Sequence, residues 1–201
     1  MELIFISGPS GSGKTDLSNQ ILLKKKDGFV LSTDNYYKTG FISKILSKFL
    51  QGYFDRSISF DYRLFKKDFD FIVKNRISMY ERSYNFKNKT TNKILKEKIN
   101  IKYLIIEGIF SKEFLNTLFN QNYFFIEIQI KKNDCMNRVI KRDSTERGKS
   151  RKQAENDFIN SWDLYYKKSK NELNKKNSNY YNFTKNTDID HLIKKIFNLN
   201  S

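Results

Sequence analysis

Short apolar runs alternate along the chain with longer segments whose apolar residues recur every three or four positions. Runs of the first kind predict buried strands, and the wider spacing predicts helices that pack on them by one face. The predicted strands are Leu3–Ser7, Phe29–Ser32, Tyr103–Ile106 and Phe124–Ile130. The predicted helices are Asp16–Lys26, Ile42–Leu50, Leu64–Ile77, Glu113–Asn120, Asp134–Arg142, Ala154–Lys170 and Asp190–Phe197. Strands that alternate with helices favour an α/β fold with a mostly parallel sheet, here in a single domain over residues 1–201.

The composition indicates the cellular location of such a domain. No apolar run approaches the ~20 residues that cross a bilayer. Met1-Glu2 lacks the basic start of a signal peptide. Cys135 is the single cysteine and excludes an internal disulfide. We therefore expect a cytoplasmic protein with no membrane partner.

The charge of the chain is strongly positive. There are 38 Lys and Arg residues against 22 Asp and Glu residues, which gives a formal net charge of +16. A basic surface is the electrostatic footprint of nucleic-acid binding, but it does not define a function by itself. Because the lysines are spread along the chain instead of gathered in one block, we expect no nucleic-acid partner.

A glycine-rich segment follows the first predicted strand and opens the first predicted helix. It matches the pattern G-x-x-x-x-G-K-[ST], in which backbone N–H groups and the start of a helix surround phosphate oxygens. Lys14 would reach the β- and γ-phosphates, and the Thr15 hydroxyl would ligate Mg²⁺. The expected cofactors are ATP, with GTP as the alternative, and Mg²⁺. The residues of the loop are Gly8, Pro9, Ser10, Gly11, Ser12, Gly13, Lys14 and Thr15.

Two carboxylates follow predicted strands at the same edge of the sheet. Asp34 lies just beyond Phe29–Ser32, where it can accept a proton from a hydroxyl that attacks the γ-phosphate. The alternative is a turn aspartate that caps local N–H groups. Glu107 ends the apolar run from Tyr103 and would hold Mg²⁺ directly or through water. Its alternative is a carboxylate paired with a lysine on the rim of the sheet.

Arginines crowd around Gly148. Arg138 and Arg142 share one face of the predicted helix, and Arg147 and Arg151 follow within a few residues. Arginine forks suit phosphate oxygens, and a lid that closes over ATP would exclude water. We therefore predict an Arg-rich lid at about residues 142–153. The alternative is a solvated face of charged residues.

Beyond the phosphate-binding loop the chain resembles the uridine kinase family, within the phosphoribulokinase/uridine kinase-like group. The resemblance runs from the N-terminus to about residue 170. Its most specific parts are the loop and the lid signature Arg-Asp-x-x-Glu-Arg-Gly. The segments that carry it after the loop are Ser32–Lys38, Tyr53–Asp55 with Phe60-Asp61, Tyr103–Ile109 and Arg142–Gly148.

This resemblance implies a three-layer sandwich and an ATP-dependent kinase that phosphorylates the 5′-hydroxyl of uridine or cytidine in pyrimidine salvage. Asp34 would be the base, while Lys14, Arg142 and Arg147 would stabilise the transferred group and Arg142 would also contact the nucleotide. The substrate-binding residues implied are Asp34, Tyr37, Phe54, Asp55, Tyr80, Asn85, Ile109 and Arg147. The state of assembly, including a homo-oligomer, stays open.

The acceptor segment departs from the family pattern Pro-x-Tyr-Asp-Phe-x-x-His-Ser-Arg. Aligned on Ser78–Lys87, Tyr80 is kept, Arg82 replaces an aromatic residue, and Asn85 replaces the histidine. Arg82 would stack by its guanidinium plane, point outward, or meet a phosphate on a different acceptor. Two alternatives follow from the sequence: a related kinase for another small alcohol or a phosphorylated sugar, and a nucleotide-dependent nucleic-acid-binding protein.

Overall fold

The computed structural model describes residues 1–50, 52–115, 122–169 and 179–197. The strands in these ranges are β1 Glu2–Ser7, β2 Gly28–Ser32, β3 Ser78–Asn85, β4 Thr90–Lys98, β5 Tyr103–Glu107, β6 Tyr123–Ile128 and β7 Tyr180–Phe183. The helices are α1 Lys14–Lys24, α2 Phe41–Phe49, α3 Tyr62–Asn75, α4 Ser111–Leu115, α5 Lys132–Glu146, α6 Arg151–Ser169 and α7 Ile189–Ile196. The predicted strands and helices are thus present, with shifted ends. Residues 116–120 of the predicted helix Glu113–Asn120 lie outside the described residues.

Five of the described strands form one parallel sheet in the order β2-β5-β1-β6-β7. The central strand β1 pairs with β5 on one side and with β6 on the other. Because all five strands run the same way, their carboxyl ends share one edge, and β1, β2 and β5 end there at Ser7, Ser32 and Glu107. The prediction of an α/β fold with a mostly parallel sheet is confirmed.

The alternation of side chains along the buried strands covers both faces of the sheet. In β1, Leu3 and Phe5 join one core cluster, which includes α3 and α4 residues, and Ile4 and Ile6 join another with α1 and α7. All four β1 residues are at most 3% exposed. A strand buried on both faces has no polar face to show in its sequence, which is why it reads as a continuous apolar run.

Helices α2 and α3 use their apolar positions differently. In α3 the predicted inward residues Phe65, Phe69 and Ile72 are buried. In α2 the helical spacing is present, yet Ile42 and Phe49 are 73% and 84% exposed. The periodicity therefore predicted both helices, but the apolar face of α2 does not pack into the core.

A two-stranded antiparallel hairpin, β3–β4, stands apart from the main sheet and was not predicted. Strand β4 has the sequence TTNKILKEK and is almost wholly exposed, so it lacks the regular apolar and polar alternation that indicates a half-buried strand. Strand β7 was also missed; it adds to the sheet edge beside β6. Within the described ranges, none of the helices is both long enough and apolar enough to cross a membrane.

Candidate active site

The phosphate-binding loop lies between the end of β1 and the start of α1. Gly11 and Gly13 have φ angles of +78° and +95°, a region that side chains other than glycine rarely adopt. A Cβ on Gly11 would also lie 2.7 Å from the backbone oxygen of Cys135. Both glycines are thus required by the backbone, and the loop opens directly onto the first turn of α1.

The polar groups of this loop fit a phosphate ligand. Lys14 is 7% exposed, and its ammonium group donates to the backbone oxygens of Gly8 (3.0 Å) and Pro9 (3.1 Å). The Ser12 hydroxyl is buried and finds no hydrogen-bond partner among the described residues. A buried hydroxyl without a partner is costly unless a ligand satisfies it, and phosphate oxygens would do so.

Glu107 and Thr15 meet at the carboxyl edge of the sheet. The Thr15 hydroxyl donates to Glu107 Oε1 at 3.4 Å, and Glu107 lies beside Ser32 in the register of β5 and β2. Burial, and then the nearby Asp34, raise the pKa of Glu107, while Lys14 acts in the opposite direction. A hydroxyl and a carboxylate oxygen are ligands of the kind that Mg²⁺ prefers, and Mg²⁺ is commonly held by one or two protein oxygens together with nucleotide phosphates.

Asp34 stands between two cavities. It lies in a short 3-10 turn, Thr33–Asn35, directly after β2. On one side it lines a cleft of about 610 Å³ with Thr15 and Glu107, here named the Thr15 cleft. On the other side it lines a cavity of about 340 Å³ together with Tyr37 and Ser10 of the loop. Its Oδ1 atom is buried and has no hydrogen-bond partner among the described residues.

Aromatic rings dominate one wall of this second cavity, here named the aromatic cavity. Tyr37 lies with its centroid 5.0 Å from Phe54, 5.2 Å from Tyr84 and 5.5 Å from Phe86. Tyr37, Phe54 and Phe86 line the cavity itself. The Tyr84 hydroxyl behind them is buried and unpartnered in the described part of the chain, and burial raises the pKa of Tyr84 to about 12. Such a wall can hold a flat ring.

A second carboxylate, Asp55, lines the aromatic cavity opposite the lid. Its Oδ1 accepts a hydrogen bond from the Ser161 hydroxyl of α6 at 2.7 Å. Burial raises the pKa of Asp55 to about 6, with Asp34 adding to the effect and Ser161 opposing it. Asp34 and Asp55 are thus close enough to influence each other, and both can accept hydrogen bonds from hydroxyl groups in the cavity.

The lid residues gather around one buried carboxylate. Asp143 Oδ1 accepts from Arg142 at 2.7 Å and lies 3.5 Å from Arg147, and Asp143 Oδ2 accepts from Lys149 at 3.0 Å. Burial opposes ionisation, yet Arg147, Arg142 and Lys149 hold the pKa of Asp143 below its usual value. The cations therefore stand as one group on the wall of the aromatic cavity.

Arg147 lies at the aromatic cavity, and Arg138 lies at the phosphate-binding loop. The Arg147 guanidinium lies 3.8 Å from the centroid of the Phe86 ring, and burial followed by Arg142 lowers its pKa. Arg138 donates to the backbone oxygen of Gly11 at 3.4 Å, so it lies at the phosphate-binding loop. The segment predicted as a lid consists of the last turn of α5, residues 147–150 and the first turn of α6.

Comparisons with known proteins decide the family. A family profile described as the phosphoribulokinase / uridine kinase family matches residues 3–168. The protein belongs to this family. A protein named uridine kinase from Borrelia hermsii is 33% identical over 109 residues, which are 54% of this chain and 52% of that protein. The chain therefore spans about half the length of the curated relatives it matches first.

Two further proteins show how far the likeness extends. A protein named uridine kinase from Ureaplasma parvum serovar 3 is 28% identical over 153 residues, covering 74% of this chain and 72% of the relative. A solved structure from Silicibacter sp. TM1040, named as a fructose transport system kinase, superposes with a TM-score of 0.62 at 18% identity and covers 90% of this chain and 88% of the other. At that identity the structural likeness establishes the kinase fold alone.

The structure does not bring every predicted site residue of this family member to the aromatic cavity. The Tyr80 hydroxyl donates to Asp68 of α3 at 3.0 Å and lies away from the cavity. Asn85 is exposed and caps the hairpin turn by accepting from the N–H groups of residues 87 and 88. Ile109 is half-buried and packs against the core cluster that contains Phe5. Arg82 neither stacks on the cavity nor points outward, because it is paired with Asp68.

Other residues take the positions that the alignment assigned to Tyr80 and Arg82. Phe86 lines the cavity and Tyr84 packs behind it against Tyr37, and these two residues repeat the Tyr-x-Phe spacing of the family pattern four residues later. A shift of four residues keeps the side chains on the same face of a strand, so alternation alone could not choose between the two registers. Ser161 was also missed, since no local pattern connects it with Asp55, which is 106 residues away.

Proposed function

We propose that the protein transfers the γ-phosphoryl group of ATP to the 5′-hydroxyl of uridine or cytidine. Family membership supports phosphoryl transfer to a small acceptor, and the relatives named uridine kinase support the choice of a pyrimidine nucleoside. The observation that carries the proposal is the position of Asp34, whose unpartnered carboxylate oxygen separates the Thr15 cleft from the aromatic cavity. A base placed between a phosphate site and an acceptor site is what a kinase of this kind requires.

Asp34 is proposed as the general base. A nucleoside in the aromatic cavity would present its 5′-hydroxyl to Asp34 Oδ1, which has no competing partner among the described residues. The carboxylate would accept the hydroxyl proton as the oxygen attacks the γ-phosphate, and Ser10 of the phosphate-binding loop also lines this cavity. A positioned base contributes about 10²- to 10⁴-fold in rate.

The phosphate side is assigned to residues of the loop and of β5. Lys14 would exchange its two backbone acceptors, Gly8 and Pro9, for β- and γ-phosphate oxygens. Thr15 and Glu107 would hold Mg²⁺, which when bound neutralises charge on the β- and γ-phosphates. Their mutual hydrogen bond of 3.4 Å is long for a pair of oxygens and leaves both atoms available for an ion.

The lid arginines are assigned to the charge of the transferred group. Arg142 and Arg147 are oriented by Asp143 on the cavity wall, and Arg138 reaches the loop from the same helix. Orientation before binding matters, because donors that are already fixed cost no rearrangement when charge develops on the phosphoryl oxygens. Stacking of Arg147 on Phe86 also joins the lid to the wall that would hold the base.

The acceptor itself is assigned to the rings and to Asp55. A pyrimidine ring would lie among Tyr37, Phe54 and Phe86, which line the cavity. Asp55 would accept hydrogen bonds from ribose hydroxyls, held in place by Ser161. A cavity that offers hydroxyl acceptors and flat apolar contacts suits a nucleoside better than a purely apolar alcohol.

The direct test is Asp34→Asn, measured as ADP formation from Mg-ATP with uridine and separately as ATP binding by calorimetry. Turnover should fall at least ~10²-fold with ATP binding retained, since the amide keeps the shape but loses the basic oxygen. Asp27→Asn is the matched control: Asp27 is exposed and precedes the start of the same strand, at the opposite edge of the sheet. Near-normal turnover by Asp34→Asn would remove Asp34 from the mechanism.

The rival acceptors are tested by the same assay. Arg82 suggested a phosphorylated sugar, but its pairing with Asp68 removes that motive. Wild-type protein should form ADP fastest with uridine or cytidine when compared with purine nucleosides, pantothenate and ribulose 5-phosphate. Stimulation only by another acceptor would keep the kinase mechanism and overturn the substrate. Salt-sensitive nucleic-acid binding without turnover of any small acceptor would favour the nucleic-acid-binding alternative.

A further inference from the structure

A buried ion pair outside the proposed catalytic machinery joins helix α3 to the hairpin. Asp68 and Arg82 are each 8% exposed in their side chains. Asp68 Oδ2 accepts from Arg82 Nε at 2.5 Å and from the Tyr36 hydroxyl at 3.0 Å. Asp68 Oδ1 accepts from Arg82 Nη2 at 3.2 Å and from the Tyr80 hydroxyl at 3.0 Å. The carboxylate thus receives four hydrogen bonds from three side chains.

Stability alone is a weak explanation for such a pair. Removing two charges from water costs several kcal/mol, and well-packed apolar residues of similar volume often stabilise a fold as well or better. The pair therefore has to be judged by which segments it connects. It connects α3 with β3 through Arg82 and Tyr80, and α3 with the segment after β2 through Tyr36.

Tyr36 lies in the short segment that carries two residues of the proposed site: Asp34 is two positions before it and Tyr37 is the next residue. Its hydroxyl is held by Asp68, and its backbone oxygen accepts from the N–H of Asp61 at 2.7 Å. The ring is 2% exposed and stands edge-on to Phe65, with centroids 4.9 Å apart. Fixing Tyr36 at both ends limits how the backbone on either side of it can move.

The same ion pair fixes the face of the hairpin that reaches the aromatic cavity. Arg82 and Tyr84 are two residues apart in β3, so they lie on one face of the strand, and Phe86 follows just beyond the end of the strand with its ring centroid 5.0 Å from that of Tyr84. Arg82 holds this face to α3, Tyr84 lies in the ring cluster, and Phe86 lines the cavity. A further contact joins the hairpin to the turn of Asp34, because the Tyr84 N–H donates to Asn35 Oδ1 at 3.2 Å.

We infer that Asp68 and Arg82 are positioning residues for the acceptor site. They hold the hairpin face that carries Tyr84 and Phe86 against the segment that carries Asp34 and Tyr37. Neither residue lines the aromatic cavity or the Thr15 cleft. Substitution of this pair should therefore change KM for the acceptor and not KM for ATP. This expectation rests on the proposed function.

The test replaces the pair without leaving a buried charge, as Asp68→Leu with Arg82→Met in one protein. With uridine varied at saturating Mg-ATP, KM for the acceptor should rise about 10- to 100-fold, the scale of a small misplacement of binding groups. KM for ATP should stay within about two-fold of wild type, because the pair bonds to Tyr36 and Tyr80 and not to the loop in the described hydrogen bonds. Arg82→Lys keeps the charge but loses the planar fork, so its KM for the acceptor should lie between those of wild type and the double variant.

An exposed ion pair on the same helix is the matched control. Asp70→Asn breaks the pair with Lys66 on α3. It should leave the acceptor KM unchanged. An unchanged acceptor KM in the folded double variant would overturn the inference. So would equal increases in both KM values together with a lowered melting temperature, since that pattern reports general destabilisation.

A second measurement does not depend on activity. Hydrogen exchange followed by mass spectrometry should show faster exchange in hairpin residues 83–89 of the double variant, including the Tyr84 N–H, and no change in β1 or β5. If wild-type protein phosphorylates no acceptor, the proposed function fails, and this exchange result still decides the role of the pair. Equal exchange in the hairpin of wild type and double variant would overturn it.

Discussion

The phosphate-binding loop and the aromatic cavity are adjacent, but they are built in opposite ways. The loop is one continuous stretch, Gly8–Thr15, whose conformation is dictated by its glycines and by the strand and helix on either side. The cavity is assembled from the segment after β2, residues 47–50 and 52–55, Phe86 of the hairpin, the lid and α6. One of its two carboxylates, Asp55, is held by Ser161, which is 106 residues further along the chain.

This contrast explains why the loop matches its motif in full while the acceptor segment departs from its family pattern. The motif places its glycines, its lysine and its Ser or Thr at fixed spacing because backbone N–H groups have to surround phosphate oxygens. The cavity needs only a wall of rings and a few hydrogen-bonding groups, which different strand positions can supply. Phe86 lines the cavity from just beyond the end of β3, with Tyr84 packed behind it, which is further along the chain than the alignment on Tyr80 implied.

The largest kinetic effect is expected for a substitution of Lys14 in the loop. Lys14→Met should lower kcat/KM for ATP and for uridine by about 10³-fold or more, because the ammonium group would stabilise charge on the transferred phosphoryl oxygens. Lys24→Met on the same helix is the control, since Lys24 is exposed and contacts Asp190 on the surface. Steady-state kinetics measure both. A loss confined to the uridine KM would contradict the assignment of Lys14 to the phosphates.

A change in the ring wall should have a smaller and one-sided effect. Phe86→Ala removes a cavity-lining ring and the stacking partner of Arg147. We expect kcat/KM for uridine to fall about 10- to 100-fold, as ring stacking on a base is worth 1–3 kcal/mol by alanine substitution. KM for ATP should change by less than about three-fold, because the loop contacts are untouched.

Phe71→Ala is the control for this prediction, because Phe71 is a half-exposed ring on α3 that lines a different cavity. It should leave both KM values near those of wild type. Equal losses for Phe71→Ala and Phe86→Ala would show that the ring wall has no special part in acceptor binding.

The loop and the cavity also differ in how far the sequence could predict them. The parallel sheet, its helices and the phosphate-binding loop followed from periodicity and one local motif, and the placement of Asp34 and Glu107 at one edge followed because the strand ends share it. The hairpin was missed because β4 is polar and exposed. The register of Tyr84 and Phe86, the pairing of Arg82 with Asp68 and the Ser161–Asp55 contact depend on how distant segments pack, which no local pattern contains.

The dependence of kcat/KM on pH tests the role of Asp55 in the aromatic cavity. Burial raises the pKa of Asp55 to about 6, so the group is neutral below that pH and a carboxylate above it. If the carboxylate accepts hydrogen bonds from the ribose, kcat/KM for uridine should rise through pH of about 6, by up to about ten-fold. Asp55→Asn should lose this rise. Its persistence in the variant would assign the titration to another group.

The smallest effect is expected at Asn85, which the family alignment placed in the acceptor site. Its side chain is exposed and accepts hydrogen bonds from two backbone N–H groups of the hairpin turn, residues 87 and 88. Asn85→Ala should therefore lower the free energy of unfolding by about 0.5–1.5 kcal/mol in denaturant titrations. KM for uridine should change by less than about two-fold, because the side chain does not line the aromatic cavity. A large rise in the uridine KM with unchanged stability would restore Asn85 to the acceptor site and make the aligned register, not that of Tyr84 and Phe86, the one that binds the nucleoside.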